Sequence, residues 1–273
     1  MASLKKNLVY NFLLSGSQVL LPLITIPYIS RVLDPDGVGR VSFIDSFTYY
    51  FITMAEFGIM VYGMREVARE KNNPTALKKL LNELLVLHII SSGVSLVIYS
   101  VSVYFIWQRI GDVRLLLFSF SFLLVNFLAC EWYFLGLERF RYITIRSLVT
   151  RILGMVSIFL LVKAREDYYI YYGIIAGAAI LNSVWNNLVL FREIPLNFRN
   201  VHWKRHIRFT WVTYLISLVY SIPLMLDNVL LGLVSTTIAV GFYAFAMKMV
   251  KTTGMLLTDG LLVFFPRIVQ YVK

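Results

Sequence analysis

A chain of 273 residues is long enough for one or two domains, but its composition excludes an ordinary soluble protein. Hydrophobic residues make up 59% of the chain, charged residues make up 15%, and the mean hydropathy is +0.72. A soluble domain carries about a quarter charged residues. The net charge of +11 is dispersed over many short connections, which favours membrane orientation and contact with anionic lipid over nucleic-acid binding.

Eight apolar stretches, each near twenty residues long, dominate the pattern. A hydrocarbon core of about 30 Å takes roughly 20 helical residues to cross, and runs this continuous exclude the alternating pattern of a β-barrel. The first stretch is too long for the apolar region of a signal peptide, so we expect it to be retained. We predict an all-α polytopic membrane protein with spans at residues 8–30, 40–62, 83–107, 113–135, 143–163, 168–190, 209–232 and 238–262.

The Lys and Arg residues of the connections predict the orientation of these spans. With a cytoplasmic N-terminus, sixteen of them fall in inside segments and six in outside segments. The positive-inside rule therefore predicts that both the N-terminus and the C-terminus are cytoplasmic.

One inside connection carries a helix-start signal, Asn73 as an N-cap followed by Pro74 at the first helical position. Leu77, Leu80 and Leu84 share one side of the helix that follows, which runs into the third span. Two interpretations stay open at this point: a short helix at the level of the lipid headgroups, or a water-exposed extension of the span.

The first two spans carry one-sided polar stripes at helical spacing. Such stripes are typical of helices that line a wet cavity, and the alternative is interhelical hydrogen bonding in a dry bundle. Two ionisable residues in the second stripe favour the cavity. The first stripe comprises Asn7, Asn11, Ser15, Gln18 and Thr25 with Pro22, and the second comprises Ser42, Asp45, Tyr49, Thr53 and Glu56.

Charged side chains in later spans add further candidates, because burying a charge in hydrocarbon costs about 2.5–3.5 kcal/mol. Glu131 and Arg151 lie on helices joined by a short connection, which favours an ion pair between them, with a structural role or a role in transport. Lys248 and Lys251 lie at mid-span, which favours an anion-attracting cavity; the alternative is their neutralisation by Asp227 or Asp259. The predicted substrate path thus comprises Asp45, Glu56, Glu131, Arg151, Asp227, Lys248 and Lys251.

Motifs for cofactor or metal chemistry are missing from the sequence. There is no phosphate-binding loop and no Gly-x-Ser-x-Gly elbow, and the three histidines lack companions at zinc-ligand spacing. The single cysteine, Cys130, lies in an apolar span and is interpreted as packing. We therefore predict neither catalytic residues, nor a metal, nor a cofactor, and we expect a protein that is not an enzyme.

Three segments give the chain a family resemblance. They are PLITIPYISRVLDPDGVG from Pro22 to Gly39, EWYFLGLERFRYITIR from Glu131 to Arg146, and LDNVLLG from Leu226 to Gly232 followed by Val240 to Lys248. In this order they resemble bacterial polysaccharide flippases, the O-antigen and repeat-unit exporters of the polysaccharide transporter family.

The resemblance implies a fold like that of the multidrug and toxin extrusion exporters, with two helical lobes around a central cavity. It implies transfer of undecaprenyl-diphosphate-linked oligosaccharide across the bacterial cytoplasmic membrane, with the bilayer and other polysaccharide-assembly membrane proteins as partners. Family members have twelve to fourteen spans. Residues 1–200 are therefore expected to form the first six-helix lobe, and residues 201–273 the first two helices of an incomplete second lobe.

Two other functions stay open at this stage. The first is a cation-coupled drug exporter on the same scaffold, although residues 8–30 lack the acidic residue that many such exporters carry there. The second is a membrane polysaccharide polymerase or glycosyltransferase, although the connections are too short for a catalytic domain.

Overall fold

The computed structural model describes residues 4–126, 129–194 and 201–271, and within them the side chains of residues 9–10, 12–126, 129–194, 201–222 and 225–254. Ten α-helices, two short 3₁₀ turns and no strand occupy this part of the chain. The helices are α1 (Leu4–Val32), α2 (Asp34–Glu56), α3 (Ile59–Glu70), α4 (Pro74–Ile110), α5 (Val113–Asn126), α6 (Glu131–Gly136), α7 (Phe140–Leu161), α8 (Tyr168–Glu193), α9 (Ile207–Val234) and α10 (Thr237–Tyr271).

Length and apolar composition identify the helices that can cross a bilayer. Four segments of the described chain qualify: Phe12–Val32, Pro74–Ile110, Phe140–Leu161 and Arg165–Glu193. Trp203–Ile222 and Met225–Val234, which are bent by 60° relative to each other, add a fifth if the pair forms one span. The all-α polytopic membrane protein is confirmed, and the number eight stays a prediction.

Two predicted spans are wrong as continuous helices. Span 40–62 is divided because Phe57 and Gly58 adopt left-handed conformations, with φ of 46° and 71°, which end α2 and start α3 in a new direction. The break lets α3 bury Ile59, Tyr62 and Val67 in the protein core. Span 113–135 is likewise divided into α5 and α6, with residues 127–128 outside the described chain.

The helix start at Asn73 and Pro74 is confirmed. The Asn73 side chain accepts a hydrogen bond from the Ala76 N–H at 3.1 Å, which satisfies one of the unpaired donors of the first turn. The 37-residue helix α4 then continues without interruption into the third predicted span. Leu77 and Leu84 are buried in a protein core with Trp132, and the two interpretations of this segment, a helix at headgroup level or a water-exposed extension, stay predictions.

Helix α2 is the centre of the bundle, because α1, α4, α5, α8, α9 and α10 all pack against it. Its polar side chains find partners on these neighbours. Thr48 and the Tyr99 hydroxyl on α4 are hydrogen-bonded at 3.2 Å, and Ser46 accepts a hydrogen bond from Asn228 on α9 at 2.9 Å. Such bonds let a helix with polar residues stay buried among other helices.

Helices α2 and α10 approach each other most closely at their N-terminal ends. A Cβ atom on Gly39 would collide with the backbone of Thr237, and one on Gly241 would collide with the backbone of Pro35. The Thr237 hydroxyl donates a hydrogen bond to Asp36 in the same contact. Partial burial raises the pKa of Asp36, but the hydrogen bonds from Thr237 and Arg40 outweigh it, and the pKa is lowered overall.

A second polar contact joins α4 to the segment that leads into α9. The Glu83 carboxylate is fully buried, forms an ion pair with Arg205 and lies 2.9 Å from Nε2 of His206. The Tyr62 hydroxyl is 2.8 Å from Nδ1 of the same histidine. Both ring nitrogens of His206 are therefore used within the fold, and the described residues contain no group of three metal-ligating side chains.

The α2–α10 contact generates a stability prediction. Gly241→Ala should destabilise the protein by about 1–3 kcal/mol, since the new methyl group meets backbone that cannot rotate away. Thermal unfolding in detergent, followed by loss of the monodisperse elution peak, measures this change. The matched control is Gly93→Ala on α4, whose methyl group meets nothing within 4 Å and should leave stability equal or higher. Equal melting temperatures for Gly241→Ala and the parent chain would contradict the close approach.

Candidate functional site

A cavity of about 550 Å³ lies between α1, α7, α8 and α10. We call it the cationic cavity. Its size falls in the range of about 300–1,000 Å³ that ligand sites occupy, and most of its wall is aliphatic. The lining residues are Ser17, Gln18, Leu21, Pro22, Thr25, Ile26, Thr150, Arg151, Gly154, Met155, Ile158, Tyr171, Ile174, Ile175, Ala178, Lys248, Lys251 and Thr252.

Three of the predicted path residues, Arg151, Lys248 and Lys251, line this one cavity. The guanidinium of Arg151 donates to Oγ of Ser17 at 2.5 Å and to the carbonyl of Leu14 at 3.2 Å, so α1 fixes its position. Three cationic side chains that converge from two helices onto an apolar space make a site suited to a negatively charged group attached to an apolar one.

Lys248 is positioned by α2 and α8. Its ammonium donates a hydrogen bond to the Tyr171 hydroxyl, and the Asp45 carboxylate is its electrostatic neighbour. Lys248 thus has an acidic neighbour other than Asp227, whose carboxylate accepts a hydrogen bond from Tyr243. The side chain of Asp259 lies outside the described residues.

The first polar stripe is divided between the cavity and other surroundings. Gln18, Pro22 and Thr25 line the cavity, together with Ser17, which the predicted stripe did not include. The side chains of Asn7 and Asn11 lie outside the described residues. Of the second stripe, Asp45 approaches the cavity through Lys248, while Glu56 lies elsewhere.

The predicted ion pair between Glu131 and Arg151 is wrong. Glu131 pairs with Arg146 at 3.0 Å, and Arg146, which is only 1% exposed, also donates to the amide oxygen of Asn186. The positions of the two arginines along α7 explain this pairing. A helix rises about 1.5 Å per residue, so Arg146 lies about 9 Å from the start of α7 at Phe140, whereas Arg151 lies about 16 Å away. Glu131 and Glu56 line a second, smaller cavity.

Several interaction partners of the site residues were not predicted from the sequence. Tyr171 belongs to a run of tyrosines at the start of α8 that we interpret as interfacial anchors, and no local signal separates it from Tyr169. Arg146 ends the second family segment, but it was not among the predicted path residues. Glu83 and His206 meet only through tertiary packing, across 123 positions of sequence.

Comparison with known proteins gives a family. Residues 4–272 match the family model described as "Polysaccharide biosynthesis protein". The chain belongs to this family. The resemblance to bacterial polysaccharide and O-antigen flippases is thereby confirmed. No solved structure matches the chain.

Two relatives in this family carry the name "Putative O-antigen transporter". The one from Escherichia coli K12 is 25% identical over 210 residues, which cover 73% of this chain and 49% of the relative. The one from Shigella dysenteriae is 24% identical over 164 residues, which cover 60% of this chain and 41% of the relative. The chain therefore spans about half the length of these relatives, or less. Their names describe transporters and not enzymes.

Two of the three arginines of α7, Arg146 and Arg151, generate a paired prediction. Arg146→Gln should destabilise the protein by about 1–3 kcal/mol, because it removes the buried guanidinium that bonds both Glu131 and Asn186. Arg151→Gln should cost less than about 1 kcal/mol, since its guanidinium faces the cavity. Thermal unfolding of both variants in the same detergent gives the comparison. The reverse ranking would show that Arg151 holds the fold and that Arg146 does not.

Proposed function

We propose that this chain provides the substrate-binding lobe of a flippase for undecaprenyl-diphosphate-linked oligosaccharide repeat units. The membrane is the bacterial cytoplasmic membrane, and the product serves O-antigen, capsule or exopolysaccharide biosynthesis. The observation that carries the proposal is the convergence of Arg151, Lys248 and Lys251 on one largely apolar cavity. Membership of the polysaccharide biosynthesis family supports it.

The chemistry of the proposed substrate fits this cavity in two parts. A diphosphate carries several negative charges and takes charge-assisted hydrogen bonds from guanidinium and ammonium groups. A polyprenyl chain is apolar and needs aliphatic walls or open lipid, which the isoleucines of α8 and the exposed faces of α1 and α7 offer. The same charges disfavour cationic drugs, which argues against a drug exporter.

The placement of the cavity supports a two-lobe arrangement. In this proposal, residues 1–200 form the first lobe and residues 201–273 provide the first helices of the second, with both termini in the cytoplasm. The cationic cavity then lies on the boundary, since α1, α7 and α8 belong to the first lobe and α10 to the second. A site on such a boundary can open to either side of the membrane when the lobes rock. The chain acts as a carrier and not as an enzyme, with other polysaccharide-assembly proteins of the membrane as partners.

A binding measurement tests the substrate class. Purified chain in lipid nanodiscs should bind farnesyl diphosphate more tightly than farnesol or inorganic pyrophosphate. The double variant Lys248→Gln with Lys251→Gln should lose at least about tenfold in affinity, because a charge-assisted hydrogen bond contributes about 1.5–3 kcal/mol. Titration calorimetry measures all of these affinities.

The control removes the same amount of charge from two exposed lysines, Lys79 and Lys163. Their double glutamine variant should bind farnesyl diphosphate as the parent chain does. Equal losses in both double variants would reduce the effect to net charge. Tight binding of farnesol, or none of farnesyl diphosphate, would contradict the proposed substrate class.

A further inference from the structure

A second cavity, of about 110 Å³, lies between α2, α3, α4 and α6, apart from the cationic cavity. We call it the acidic cavity. Its lining combines two carboxylates and an imidazole with apolar side chains. The residues are Glu56, Ile59, Met60, His88, Ala129, Glu131 and Trp132.

Buried polar atoms around this cavity lack partners within the described chain. His88 is 1% exposed, and neither of its ring nitrogens has a partner with hydrogen-bond geometry, although the Asn126 side chain lies close by. The indole N–H of Trp132 and the amide oxygen of Asn126 are also unpaired. Leaving such groups unpaired is costly, so polar occupants are expected. At about 30 Å³ for each molecule in the liquid, the cavity has room for about three waters.

Among the described residues, no cationic side chain compensates the charge of Glu56. Glu131 is paired with Arg146, whereas Glu56 has the neutral amide of Asn126 as its polar neighbour and the like charge of Glu131 nearby. An ionised Glu56 would therefore be a poorly compensated charge in a protein interior, and a bound positive charge would remove that cost.

The other groups that face the cavity do not supply this charge. Tyr49 precedes Glu56 on α2 and is neutral, and α4 contributes His88. On α7, Arg146 forms an ion pair with Glu131. Arg151 donates a hydrogen bond to Ser17 and lines the cationic cavity. A metal ion is a poor candidate, because the described residues include no group of three metal-ligating side chains.

We propose that the acidic cavity is a proton-binding site in which Glu56 and His88 share one exchangeable proton through enclosed water. In one form the proton forms an O–H bond on the Glu56 carboxylate and the imidazole is neutral. In the other form that O–H bond breaks, an N–H bond forms on His88, and the carboxylate and imidazolium compensate each other. The net charge of the pair is the same in both forms. At higher pH the shared proton leaves to solvent water, which leaves an ionised Glu56 and a neutral His88 and lowers the net charge of the pair by one. The inference concerns a cavity other than the substrate site, so it does not depend on the proposed substrate.

Infrared difference spectroscopy on the full chain in nanodiscs, between mildly acidic and mildly alkaline buffer without substrate, tests the site. The parent chain should show a protonated-carboxyl band that titrates. Glu56→Gln should lose this band, and the matched control Glu166→Gln, on an exposed turn, should keep it. His88→Gln should keep the band and shift its midpoint by about one pH unit. A band that survives in Glu56→Gln, or a spectrum that responds to sodium at fixed pH and not to pH, would overturn the proposal.

Trp132 provides a second measurement that leaves both proton carriers intact. Its indole lines the cavity, so the tryptophan emission of the parent chain should change across the same pH range. Trp132→Phe should abolish that change, whereas Trp107→Phe, at an exposed position, should keep it. Emission that does not respond to pH in the parent chain, or a response that survives in Trp132→Phe, would count against a proton in this cavity.

Discussion

The cost of placing charge in an apolar interior organises this molecule. Several buried ionisable groups of the described chain are paired within the fold, and others line a cavity. Arg146 with Glu131, and Glu83 with Arg205 and His206, belong to the first class, and they join helices that are distant in sequence. Arg151, Lys248 and Lys251 belong to the second class. The first class joins distant helices, and the second class places cationic groups on the wall of the cationic cavity.

Helix α2 connects the two classes. Six helices pack on it, and the close glycine contact with α10 brings Lys248 near Asp45 and Tyr171. At its other end the left-handed turn at Phe57 and Gly58 stops the helix just after Glu56. Glu56 therefore lines the acidic cavity, whereas Asp45, three turns earlier, is the electrostatic neighbour of Lys248, which lines the cationic one. A single helix thus contributes one carboxylate to the environment of each cavity.

Hydropathy and charge spacing were sufficient for the fold class and for naming the three cations of the cationic cavity. Both signals are local: a span needs a continuous apolar run, and a mid-span lysine is costly wherever it lies. The breaks within α2–α3 and α5–α6 were not predictable in this way, because the residues on both sides are apolar enough to continue a span. The turn at Phe57 depends on the core that α3 forms with α4 and α6.

Local sequence patterns could not predict which charged side chains form ion pairs with each other. Glu131 had two arginines of α7 within reach, and helix rise alone favours Arg146 once the start of α7 is known. This ion pair also affects which charged side chains line the two cavities. Because Arg146 pairs with Glu131, Arg151 can line the cationic cavity, and Glu56 is the carboxylate of the acidic cavity that has no cationic partner among the described residues. One pairing choice on α7 therefore determines the electrostatic character of both cavities.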